Sequence, residues 1–124
     1  MIEYLFTAIL FVLLDSIYLN TIKNYFNKQI IDIQGSPIQV NYTAAAITYI
    51  FLIYGLNTFI IQKNKSVSDA ALLGFIIYGV YEFTNLSIIK NWRVLTAIID
   101  TTWGAVLFAL TTAIIYKCRG IFYK

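Results

Sequence analysis

A chain of 124 residues that is 60% hydrophobic and only 12% charged lies far outside soluble composition and has room for one domain, embedded in a membrane. Its net charge of +3 comes from loops and tail, which suits anionic lipid headgroups; no basic stripe interleaved with aromatics lies outside the apolar runs, arguing against nucleic acid as a partner. Histidine is absent, which excludes histidine-bound metal or haem and any histidine-activated nucleophile, and the single cysteine, Cys118, excludes an internal disulfide.

Four apolar runs are each long enough to cross a hydrocarbon core of about 30 Å at about 1.5 Å per residue: residues 2–19, 38–61, 70–89 and 94–116. The expected fold is all-α, a bundle of four transmembrane helices with both chain ends on the same side. The first run carries Glu3 where a secretory signal has a basic segment, lacks a small-residue cleavage site and holds Asp15 in its middle, so it reads as a retained span. Asp15 and Tyr18, three residues apart, share a helical face. Beyond them Ile22, Tyr25, Phe26, Ile30 and Ile33 recur at helical spacing among Lys23, Asn24, Asn27 and Lys28. This pattern predicts either an interfacial amphipathic helix over 21–34, between spans one and two, or a continuation of span one that frays into a polar loop.

Gly35-Ser36-Pro37 reads as a helix stop, an N-cap and a first-turn proline, which starts span two near Ile38. Its opening turns hold Asn41, Tyr42 and Thr43, with Tyr49 about two turns deeper. Ser66 or Ser68 caps span three, whose Ala70, Ala71, Gly74 and Gly79 offer a small-residue surface for close helix packing. Lys90-Asn91-Trp92-Arg93 forms a tight turn, with Trp92 expected as an interfacial anchor. Lys63, Lys65, Lys117, Arg119 and Lys124 fall on one side, against Lys23, Lys28, Lys90 and Arg93 on the other, which leans towards cytosolic termini.

Acids inside apolar helices are the feature that asks for a function, because one carboxylate at a helix centre costs roughly 2.5–3.5 kcal/mol. Asp15 lies eight residues before Lys23, Glu82 eight before Lys90, and Asp100 seven after Arg93. At helical rise this sets each about 10–12 Å inside the nearest basic residue, at one depth in one leaflet. Helical spacing groups Tyr78 and Asn85 with Glu82, Trp103 and Gly104 with Asp100, and Phe11 and Tyr18 with Asp15. The expected site is a polar pocket of Asp15, Glu82, Asn85, Asp100, Trp103, Tyr18, Tyr78 and Tyr42. Three roles stay open: a proton or cation site, recognition of a cationic or polyhydroxy headgroup, and a clasp that only fixes helix register. In the last case the acids bond neighbouring helices or snorkelling Lys23, Lys90 and Arg93. No cofactor is expected; should a divalent cation bind, Asp15, Glu82 and Asp100 are its ligands.

Leu14-Asp15-Ser16-Ile17-Tyr18-Leu19, Tyr78-Gly79-Val80-Tyr81-Glu82-Phe83-Thr84-Asn85-Leu86, Trp92 and Asp100-Thr101-Thr102-Trp103-Gly104 together resemble the DUF2177 family of predicted membrane proteins, over essentially the whole chain. The family pattern has Asp-x-x-Trp-Leu in the first span, Tyr-Asp-x-Thr-Asn-Leu in the third, then a Trp and an Asp-x-x-Trp-Gly. Tyr18 stands where that pattern has Trp and Glu82 where it has Asp, each keeping its aromatic or acidic character. The resemblance implies a multi-span protein of a bacterial, host or viral membrane, and the richness in Ile, Asn, Lys and Tyr is similar to that of AT-rich large DNA viruses. It brings no activity. The leading expectation is therefore a transporter- or channel-like element, surrounded by membrane lipids and, by analogy with small four-span transporters, homo-oligomeric. The alternatives are a membrane-embedded lipid-modifying enzyme or accessory that uses the carboxylates, and a structural, viral membrane component.

Overall fold

The protein is described here by a computed structural model over residues 2–122. Four helices follow one another: α1 (Ile2–Gln34), α2 (Tyr42–Leu56), α3 (Val67–Ile88) and α4 (Val94–Phe122), with α2 extended by a π-helical turn over Asn57–Ile61. No strand occurs among the described residues. Each of the four is long and apolar enough to cross a membrane, and large side chains such as Ile9, Ile50, Phe75 and Ile98 point outward. Outward apolar faces belong to a bundle whose solvent is lipid.

No glycine or proline interrupts residues 2–34, and α1 runs through them unbroken. Its 33 residues span about 50 Å, well beyond the hydrocarbon core. The segment 21–34 is therefore the far end of span one and not a separate interfacial helix. The periodicity that suggested one instead serves packing: Gln29 is buried against the start of α4, and Phe26 meets Trp92 edge to face at 6.0 Å. Gly35 ends the helix at φ 77°, its N–H donating to the Ile31 carbonyl at 2.8 Å, as a C-terminal glycine does.

Span two begins four residues later than Ser36-Pro37 suggested. Asn41 is the N-cap, its side chain accepting from the Ala44 N–H at 3.0 Å, while the preceding stretch is tied to α1 by the Ile38 N–H donating to Asn27 Oδ1 at 3.0 Å. Ser66 caps α3 as expected, accepting from the Asp69 N–H at 3.0 Å. Both short turns use asparagine at positive φ, Asn64 at 53° and Asn91 at 70°, a conformation that asparagine tolerates better than most residues.

The hairpin of α3 and α4 is the most closely packed pair. A Cβ on Gly74 would lie 2.1 Å from the Gly104 carbonyl oxygen, and one on Gly104 would lie 2.4 Å from Tyr78 Cγ, so both positions must be glycine for the backbones to meet. α1 packs on α4 with Phe11 edge to face on Phe108 at 5.6 Å, and α2 rests more lightly on α1. Phe11, Leu56, Ile60, Ile61, Leu107, Phe108 and Ile115 form the apolar centre.

At one end of the bundle Arg119 of α4 ties three elements together. It donates to both Glu3 carboxylate oxygens at 3.2 and 3.3 Å, to the Ile61 carbonyl at 2.8 Å and to Asn64 Oδ1. Its guanidinium also lies over the Tyr116 ring at 4.6 Å. The π-turn fits this end: Gln62 N–H reaches back to Asn57 O at 2.8 Å, and buried Asn57 accepts from Thr7 at 3.5 Å. The start of α1 and the end of α4 thus share one end of the bundle.

Candidate functional site

The three intramembrane acids do not lie at one depth. α1 continues past Leu19 and docks at Gln29 and Asp32 on the hairpin turn, so Lys23 does not mark the end of span one. In consequence Asp15 pairs across the interface with Trp103, and Tyr18 with Asp100. Asp15 therefore lies about one helical turn deeper than Asp100.

Asp15 is nearly buried and fully bonded. Trp103 Nε1 donates to Oδ1 at 2.9 Å and the Tyr49 hydroxyl to Oδ2 at 2.5 Å, joining α1, α2 and α4. The Tyr18 ring stacks on Trp103 at 4.6 Å between centroids and 6° between planes, which holds the indole edge towards Asp15. The Tyr18 hydroxyl in turn donates to Asp100 Oδ1 at 2.9 Å. These two bonds make Asp15 a clasp between helices.

Glu82 and Asp100 form a different arrangement. Glu82 is completely buried; Trp92 Nε1 donates to its Oε1 at 3.0 Å, while Oε2 has no donor among the described residues. Across the α3–α4 hairpin, where Gly79 packs on Thr101, the Asp100 carboxyl is a near neighbour of Glu82. Two carboxylate oxygens can only repel each other, so this contact becomes a bond when one of the two carries a proton. Thr101, next to Asp100, likewise has a buried hydroxyl without a partner among the described residues. Trp92 is accordingly not an interfacial anchor: it is buried at the turn, and its N–H is spent on Glu82.

Tyr78 packs over Gly104, edge to face on Phe108 at 6.3 Å, and borders Asp100 in a lateral groove. Asn85 does not join the cluster; its side chain makes no hydrogen bond among the described residues, and its carbonyl accepts from the Ile89 N–H. Tyr42 is 80% exposed at the start of α2 and is not part of the site. Among the described residues no ion pair joins Asp15, Glu82 or Asp100 to Lys23, Lys90 or Arg93: Arg93 pairs with Asp32 at 3.0 Å and lies over the Tyr25 ring. Among the described residues no cluster of three or more Asp, Glu, Cys or His is disposed to hold a metal ion, so Asp15, Glu82 and Asp100 are not assembled as a ligand set.

A second polar cluster went unread in the sequence. Gln29 is fully buried on α1; its Oε1 accepts from the Arg93 N–H at 2.9 Å and from the Thr96 hydroxyl at 2.7 Å, capping the start of α4. The signal was present in the helical phase, since Tyr25, Gln29 and Asp32 recur on one face of α1. The Glu3–Arg119 pair had no such signal, as its members lie 116 residues apart.

These positions of the acids and their aromatic donors are the ones that carried the resemblance. The model of DUF2177, described as a predicted membrane protein, matches residues 1–117. The chain belongs to the DUF2177 family. No match was found among the curated proteins or among solved structures. Membership and the four candidate spans make this DUF2177 chain a multi-pass integral membrane protein.

Proposed function

We propose that this DUF2177 protein is a transporter-like membrane protein in which Glu82 and Asp100 hold one exchangeable proton between them. The observation that carries the reading is the buried Oε2 of Glu82, which has no donor among the described residues, on a side chain that neighbours a second carboxyl across the hairpin. A pair placed only to fix helix register would have its oxygens bonded, as Asp15 has. An unfilled oxygen in hydrocarbon is costly, and a proton shared with Asp100 relieves it.

The two kinds of acid then divide the work. Asp15, with Tyr49 and Trp103, fixes the arrangement of α1, α2 and α4. Tyr18 transmits that arrangement to Asp100, since its ring stacks on Trp103 while its hydroxyl holds one Asp100 oxygen. The pair itself gains or loses the proton, and the change in its charge alters what it can bind. The five-to-four balance of loop charges favours cytosolic termini, and analogy with small four-span transporters supports a homo-oligomer among membrane lipids.

Proteoliposomes with a pH-sensitive dye inside test this. Wild-type protein is expected to move protons down an imposed gradient or to couple them to solute movement. Glu82→Gln and Asp100→Asn should each abolish the flux, and Asp32→Asn, at an exposed pair, should leave it intact. Equal flux in wild type, Glu82→Gln and Asp100→Asn would remove the proposal.

A further inference from the structure

Beside the pair lies a groove of about 310 Å³ lined by Thr48 and Leu52 of α2, Ile77, Tyr78 and Tyr81 of α3, and Asp100 of α4. Apart from Thr48 its walls are apolar or aromatic, and Asp100 is the only acid among the lining residues. Thr48 and Tyr81 are exposed on the outer surface of the bundle, so the groove opens sideways between α2 and α3 into the layer that lipid fills. Asp100 itself is half-buried: the Tyr18 hydroxyl holds its Oδ1, while Oδ2 accepts no donor among the described residues and is not sealed from the surface.

We infer that this groove binds a lipophilic monovalent cation, an ammonium group on an apolar or aromatic stem, with the charge at Asp100 and the stem between Leu52, Ile77 and the two tyrosine rings. The inference rests on the proton-sharing pair proposed above, and it names the ligand class for that site. Two independent observations converge on it. One is the groove, which offers an acid at its inner end and phenol rings along its sides, the surroundings that bind quaternary and alkyl ammonium groups. The other is fully buried Glu82, whose Oε2 has no donor among the described residues and whose side chain neighbours Asp100 across the hairpin.

Charge fixes the valence. A carboxyl pair that holds one proton carries a single negative charge, which a monovalent cation neutralises and a divalent cation over-compensates unless the proton leaves. Polarity fixes the stem, because a strongly hydrated ion gains nothing from Leu52 and Ile77, whereas an apolar stem is removed from water along their length. The same ammonium chemistry occurs on free amphiphilic cations and on ethanolamine lipid headgroups, and the sideways opening admits either.

Calorimetric titration of the protein in nanodiscs of phosphatidylglycerol, with phenyltrimethylammonium as probe, decides the matter. Saturable binding is expected, with none of the neutral isostere tert-butylbenzene. Asp100→Asn should weaken binding at least about tenfold, as loss of a desolvated charge partner does. Thr48→Trp, which fills the groove from an exposed position on α2 without touching a carboxyl, should weaken it as much while leaving the fold unchanged; Tyr42→Phe should not alter it. Competition by added phosphatidylethanolamine identifies the headgroup as the resident form, and its absence identifies a free cation. Equal binding of the charged and neutral probes, or undiminished binding in both Asp100→Asn and Thr48→Trp, overturns the assignment. Infrared detection of a protonated carboxyl in the same samples separates the two ideas. A proton without probe binding removes the cation site alone. Probe binding without a proton removes the shared-proton reading and the valence argument built on it.

Discussion

Replacing Gly74 with alanine asks how much of the fold depends on the close approach of α3 and α4. The new Cβ would lie 2.1 Å from the Gly104 carbonyl oxygen and 2.8 Å from Phe108 Cγ, about 1.3 Å short of ordinary contact with the oxygen. The obstacle is backbone and cannot rotate away, so the helices must part. Overpacking of this kind costs about 1–3 kcal/mol, and backbone obstruction puts Gly74→Ala at the upper end. Alanine recovers about 0.5–1 kcal/mol of helix propensity, which leaves a net loss of about 2 kcal/mol. Gly55→Ala supplies the control with the opposite sign, because a Cβ there meets nothing within 4 Å and only the propensity gain remains. Thermal unfolding of the purified variants in one detergent measures both. If Gly74→Ala unfolds at or above the temperature of Gly55→Ala, the close crossing does not hold the hairpin together. Because Tyr78 packs on Gly104 and borders the groove, Gly74→Ala should also weaken any ligand held at Asp100.

Other substitutions separate the roles of the polar groups. Arg119→Ala removes the ion pair to buried Glu3 together with the bonds to Ile61 and Asn64 and should lower the unfolding temperature by several degrees in the same assay. Asp32→Ala removes an exposed pair with Arg93 and should barely change the unfolding temperature, with any loss diminishing at high salt. Tyr49→Phe deletes one of the two donors to Asp15 and should cost about 1.5–3 kcal/mol without abolishing proton binding, since Glu82 and Asp100 keep their own partners.

The four spans were legible because lipid as a solvent imposes a simple rule, a long apolar run, that holds regardless of neighbours. The candidate residues Asp15, Tyr18, Glu82, Asp100 and Trp103 were legible for a related reason: a polar group inside such a run needs a partner, and helical spacing narrows the choice. What spacing cannot give is the pairing between helices. Depth counted from Lys23 misplaced Asp15 by a turn, because the helix runs through that lysine to Gln34. An amphipathic segment packs its apolar stripe on lipid headgroups or on a neighbouring helix with equal ease, and only the contacts of Gln29 and Phe26 decide for the neighbour. Ser36-Pro37 gave a proper start signal for span two, yet the bonds that tie Ile38 to Asn27 and Gln34 to Ser36 and Pro37 hold that stretch out of the helix until Asn41 caps it. Trp92 looked like an anchor because tryptophan in a short membrane turn usually is one; the buried acid Glu82 of α3 claimed it instead.

The central claim is that Glu82 and Asp100 share a proton within the membrane. Infrared difference spectroscopy of the protein in nanodiscs, taken across a pH titration, reads it through the carbonyl stretch of a protonated carboxylic acid. The account predicts one such band in wild type, removed by Glu82→Gln or Asp100→Asn, unaffected by Asp32→Asn, and displaced by Trp92→Phe, which takes the donor from Glu82 Oε1. A wild-type spectrum with no protonated carboxyl at any pH at which the bundle stays folded, or a band that survives loss of both Glu82 and Asp100, would contradict it.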